Sequence, residues 1–189
     1  MTGQIFLGLA TAFGLSTAAG LNAYIPLLVV AILARFPSLI TLNEPWDALS
    51  SWWVIGTLVV LLIVEILVDK IPAVDTINDV IQTFIRPTAG AILFASTTRT
   101  IGIHPVLAAI CGVVLAGGVH AVKAGGRPVV ASMTAGLGNP VVSTIEDAIS
   151  FVASLLAIVA PYLVIAFVAV IGGLIVWWYV RRQQRREQN

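Results

Sequence analysis

Charge is what this sequence has least of. Asp, Glu, Lys and Arg make up 10% of its 189 residues, while 59% are hydrophobic. A soluble domain carries about 25% charged residues. So few charges cannot cover a globule of this size with water-compatible surface, and lipid must be the solvent for most of the chain. The formal net charge of +1 leaves no bulk electrostatic case for nucleic acid. The single cysteine, Cys111, excludes an intrachain disulfide and the paired-cysteine metal spacings. Within IHPVLAAICGVVLAGGV it reads as a small hydrophobe. Residues 1–4 hold no Lys or Arg, and the apolar run from Ile5 to Ala34 far exceeds a signal core of roughly 7–15 residues. The first segment is therefore expected to stay as a membrane helix. Nucleophile elbow, HExxH, P-loop and dinucleotide fingerprints are missing as well, so no enzymatic role and no cofactor is expected; a metal is left open.

What is present is apolar length. A spanning helix needs about 20 apolar residues. Ile5–Ala34, Trp52–Val68, Pro105–Val122 and Ile149–Val180 are expected to be four full spans of an all-α, polytopic transmembrane bundle. The first and last are too long for a straight crossing and must tilt, kink or divide. Gly14, Asn22 and Pro26 interrupt the first; Pro161 and Gly172-Gly173 interrupt the last. Residues 1–180 read as one domain, followed by a basic tail, 181–189.

Two shorter elements are more polar. Over 75–95, Val74, Ile77, Ile81, Phe84 and Ile85 recur at helical spacing. Asp75, Asn78, Asp79, Gln82 and Arg86 share the opposite face. This is an amphipathic helix, either lying on the membrane surface or packed inside the bundle with its polar face inward. RPVVASMTAGLGNPVV (127–142) suits a re-entrant or broken segment. Trp177-Trp178-Tyr179 followed by Arg181, Arg182, Arg185 and Arg186 reads as a cytoplasmic end. Loop 36–51 carries Glu44 and Asp47 without Lys or Arg and reads as external. Four spans then place both termini in the cytoplasm, at the inner (plasma) membrane.

Two internal echoes suggest an inverted repeat. Ser16–Asn22 resembles Ser132–Asn139, and LVVLLIVEILVDK (58–70) resembles CGVVLAGGVHAVK (111–123). On the expected topology the latter two helices run in opposite directions. Such repeats, with broken helices meeting near the midplane, are common in secondary transporters.

The few charges are concentrated. Glu65 lies inside an apolar span, one turn from Asp69 on the same helix face. A carboxylate in lipid is costly and usually faces a cavity or a partner. The pair therefore reads as a proton or cation site, or as a structural partner of a Lys or Arg. Asp69, Lys70, Asp75, Asp79 and Arg86 cluster between two apolar segments. They fit cation binding or a proton relay; alternatively, Asp75 caps a helix and Asp79 pairs with Arg86. His120, Lys123 and Arg127 form a basic half-site for an anionic group, or a neutralising counterpart to the acids. His104, before Pro105, reads as structural. Ser143-Thr144-Ile145-Glu146 matches a capping box before the last helix, with Asp147 in its first turn. Asn22 and Asn139 sit in the small-residue breaks, where side-chain amide and exposed backbone can coordinate a ligand.

GLNAYIPLL (20–28), VDKIPAVD (68–75), IRPTAG (85–90), HAVKAGGRP (120–128) and STIED (143–147) resemble the bacterial membrane protein family labelled domain of unknown function 4126. The likeness covers roughly residues 10–150 and implies a multi-span inner-membrane protein. It supplies no reaction, substrate or cofactor. The residues themselves favour a small transporter or channel for an ion or small polar solute. The rival readings are a lipid-handling protein and a structural or accessory subunit. The expected partners are the bilayer and the solute, with a homodimer compatible with so few helices.

Overall fold

Apolar residues run almost unbroken through this chain, so its helix boundaries are set by breakers rather than by polar stretches. The computed structural model describes residues 2–36, 40–42, 44–69, 71–98 and 101–187. Among them it contains seven α-helices, one short 3₁₀ helix and no strand.

The first long stretch divides at Asn22. α1 (Thr2–Leu21) ends there and α2 (Tyr24–Arg35) starts two residues on. Asn22 Oδ1 accepts the N–H groups of Tyr24 at 2.9 Å and Ile25 at 3.1 Å, satisfying donors at the start of α2. Pro26 falls in the first turn of α2, where no helical N–H is needed. The chain then folds back. A 3₁₀ helix (Trp46–Ser50) packs on α2, and Trp46 joins Leu9 against the cluster of Ala12, Phe94, Ala95 and Ala108. Loop residues 46–50 thus lie beside the first half of α1. A span that only tilted or kinked would carry them to the opposite end, so of the expected alternatives the run divides, as a helical hairpin with its tip at Asn22-Ala23. The polar backbone at the tip is tolerated because protein, not lipid, surrounds it. Asn22 is 1% exposed.

α3 (Trp52–Val68) starts at Ser51, whose side chain accepts from Val54 N–H at 3.3 Å. α4 (Pro72–Thr98) and α5 (Pro105–Thr134) form the most closely associated pair. His104 Nδ1 accepts from Val106 N–H at 3.3 Å, which gives His104 the structural role expected of it. The amphipathic 75–95 stretch is one continuous interior helix, packed against α1 and α5 with its polar face inward. The broken segment expected over 127–142 is instead the end of α5 and the start of α6 (Asn139–Val159). The two are joined by a turn in which Ala135 (φ 50°) and Gly136 (φ 82°) take left-handed backbone. The capping-box reading of 143–146 is likewise corrected: α6 begins four residues earlier, at Asn139-Pro140, where proline suits a first turn. The last long stretch divides at Ala160. α7 starts at Pro161, packs on α1 and runs through Arg181 to Glu187.

α6 runs antiparallel to α1, since Asp147 meets Asn22, Ser150 meets Ala18, and Ala157 lies against Gly14. α3 and α5 run in the same sense. Trp46, just before α3, shares a cluster with Ala108, early in α5, while Asp69, just after α3, reaches Arg127, late in α5. This is not the opposed arrangement that the sequence echo expects, because the α1–α2 hairpin returns the chain to its starting side before α3. α1, α5 and α6 are long and apolar enough to cross a membrane. Large apolar side chains face outward on the bundle, with Trp53 at 90% exposed, which is the pattern of a protein solvated by lipid.

Candidate functional site

Beneath the hairpin tip the bundle gathers eight of the chain's 19 Asp, Glu, Lys and Arg side chains. The polar face of α4 turns inward, and its residues meet Glu65 on α3, Asp69 just after it, and His120 and Arg127 on α5. Glu65 on α3 takes the Arg86 guanidinium at 3.1 Å, with both side chains buried. A second Arg86 nitrogen lies 3.0 Å from His120 Nδ1. Arginine can only donate, so Nδ1 accepts and the proton of neutral His120 sits on Nε2. Nε2 is 3.1 Å from the Thr83 hydroxyl.

A second group centres on Arg127. Its guanidinium lies 3.2 Å from Asp79 and 3.5 Å from both Asp69 and Glu146. Asp69 also accepts from Ser143 at 2.8 Å and from Asn78 at 2.8 Å. Lys123 joins the network to the hairpin. Its ammonium donates to the Leu21 carbonyl at the end of α1 at 2.9 Å and pairs with Glu146 at 2.8 Å. A cation at a helix C-terminus complements the helix dipole. The Asn22 amide donates to Asp147 at 2.9 Å, so one asparagine starts α2 and anchors the tip to α6.

Beside this network a cleft of about 390 Å³ opens between α4 and α5. It is lined by Asp79, Thr83, Ala124, Arg127, Pro128 and Asn139, among others. Both helices carry an Arg-Pro pair, Arg86-Pro87 and Arg127-Pro128, and the second lines the cleft. A proline has no N–H for the carbonyl four residues before it. Those carbonyls belong to Thr83 and Ala124, and both residues line the cleft. A further cavity of about 300 Å³ between α1 and α7 is walled by apolar side chains such as Phe6, Leu9 and Phe13.

The structure thus brings together Glu65, Asp69, Asp79, Arg86, His120, Lys123, Arg127 and Asn22, with Asn139 at the rim of the cleft. Lys70 and the side chain of Asp75 lie outside the described residues. The pairing differs from the sequence expectation. Asp79 bonds Arg127 rather than Arg86, because α3 places Glu65 against Arg86 and α5 brings Arg127 across to Asp79. Glu146 and Asp147 belong to the network rather than to a helix cap. Ser143, Gln82 and Asn78 were not singled out as site residues, although Gln82 and Asn78 lie on the polar face of α4 that the sequence pattern outlines. Among the described residues no group of three or more His, Cys, Asp or Glu side chains is arranged to hold a metal ion.

The family model described as "Domain of unknown function (DUF4126)" matches residues 9–181. No curated protein matches the chain. No solved structure matches it either. Because the family match runs through the hairpin, the charged helices and α6, the chain belongs to the DUF4126 family.

Proposed function

We propose that this protein is a small membrane transporter or channel for an ion or small polar solute, non-enzymatic, set in the inner membrane with both termini in the cytoplasm. One observation carries the reading: the broken-helix tip at Asn22 ends inside the bundle, over buried charges and beside a cleft into which Asp79 and Arg127 open. Irregular backbone and ionisable side chains at membrane depth are expensive, and both concentrate where proteins bind or move polar solutes. The test is flux through liposomes containing the purified chain, across a panel of monovalent cations, anions and small zwitterions. Flux of one class, lost in Glu65→Gln while the variant still folds, is the expected result. Normal flux in that folded variant would overturn the role of the carboxylate.

A structural or accessory subunit is the second reading, and internal pairing favours it: Arg86, Lys123 and Arg127 all find carboxylates. It leaves the cleft and the unmatched oxygens at Glu65 and Gln82 without a purpose. A lipid-headgroup site at Lys123 and Arg127 has less support, since both side chains are buried and already paired.

A further inference from the structure

We infer that the species loaded at this site is a monovalent cation, a proton or sodium, held at Glu65 with the Gln82 carbonyl beside it; this rests on the transport reading above and names its substrate class.

The first observation is charge. With every group ionised, the described network contains five carboxylates, Glu65, Asp69, Asp79, Glu146 and Asp147, against three cations, Arg86, Lys123 and Arg127, an excess of two negative charges. Arg127 alone is shared by three of the acids, and Asp147 is met by the Asn22 amide. Excess negative charge in a low-dielectric interior is costly until a cation neutralises it. An anion would deepen the imbalance.

The second observation is independent of charge. Glu65 Oε2 and Gln82 Oε1 are buried without a hydrogen-bond partner, on side chains 3% and 1% exposed. An ionised carboxylate oxygen and an amide carbonyl oxygen can only accept. They call for a hydrogen-bond donor or a cation, and with the negative excess a cation or a proton meets both needs. Gln82 sits one turn before Arg86 on the inward face of α4, so it shares the face that meets Glu65. The groups facing Glu65 are Arg86 from α4, Lys123 from α5, Tyr24 from α2 and, on its own helix side, Asp69. The cleft opens at Asp79 and Arg127 of the same network, and neither Glu65 nor Gln82 lines it. Asp79, which lines the cleft, carries a further acceptor oxygen, Oδ1, also buried without a partner.

The test is thermal stability of the full chain in detergent. One arm replaces choline chloride by sodium chloride at constant chloride and alkaline pH. The other lowers the pH in choline chloride. The expected result is a rise in Tm in at least one arm, absent in Glu65→Gln and weakened in Gln82→Leu. A response to sodium at alkaline pH identifies a metal cation; a response to acid alone identifies a proton. A wild type indifferent to both, or stabilised by chloride or phosphate instead, overturns the inference. So does a full response in Gln82→Leu, which keeps the test decisive should Glu65→Gln fail to fold. Anion flux lost in Glu65→Gln would retain the transport reading while refuting the cation.

Discussion

The two ends of the α4–α5 pair are held together by opposite means. Towards the end that carries Phe94 and Ala108, the helices touch through glycine and alanine. A Cβ on Gly90 would stand 2.5 Å from the Gly112 carbonyl oxygen and the Ala116 Cβ. Backbones approach so closely here that no side chain separates them, the arrangement by which helices associate in lipid without a hydrophobic drive. Towards the other end the same two helices are bridged by long charged side chains, Arg86 to His120 and Arg127 to Asp79, and a cleft opens beside them. Close packing holds one end rigid. The charged end leaves a cleft of about 390 Å³ beside its ion pairs.

Breaking the charged end is expected to cost most. Arg86→Ala leaves Glu65 buried without its cation, a loss of about 3–5 kcal/mol by analogy with other broken buried pairs. Thermal or denaturant unfolding in detergent would read it. The double variant Glu65→Met with Arg86→Met should recover most of that stability while remaining inactive in flux. The packed end comes next. Gly112→Ala would place a Cβ 2.5 Å from the Gly90 carbonyl carbon and 2.7 Å from the Ala91 Cα, backbone that cannot step aside. A loss of about 1–3 kcal/mol follows. Asn22→Ala tests the joint between the ends. Losing the α2 start and the Asp147 anchor should cost about 1 kcal/mol and, more tellingly, raise proteolysis or hydrogen exchange at the hairpin tip. Ser16→Ala removes the hydroxyl bonded at 3.0 Å to the Gly90 carbonyl. Interhelical hydrogen bonds of this kind average about 0.6 kcal/mol, so this variant should stay near wild type. A larger loss there than in Arg86→Ala would reverse the ranking of the two ends.

Much of this was readable before the fold was known, for reasons particular to each residue. The polar face of α4 follows from the spacing of Asn78, Asp79, Gln82 and Arg86, because helical geometry alone decides which residues share a face. Glu65 stands out because a carboxylate in an apolar span has few tolerable environments. Other readings failed where a local explanation competed with a distant one. Ser143-Thr144-Ile145-Glu146 satisfies the capping pattern, yet Ser143 bonds Asp69, a partner 74 residues away that no local rule can supply. Asp79 and Arg86 are seven apart on one helix, but each finds a better partner on another. For the first apolar run the sequence left tilting, kinking and dividing open, because hydropathy is blind to direction and a break at Asn22 is compatible both with a kink and with a reversal.

Composition and periodicity were enough to determine that this chain is helical, solvated by lipid and poor in charge, and which residues carry that charge. Those properties depend on side-chain chemistry and on the repeat of the helix, both local. Which carboxylate meets which cation, whether the first helix turns back, and where a cleft opens were decided only in the tertiary structure. Each depends on the relative placement of helices far apart in sequence, and that placement is set by the close contacts of Gly20, Gly90 and Gly112. Residues without side chains carry almost no signal in a hydropathy pattern, yet in lipid they determine how near two backbones can come.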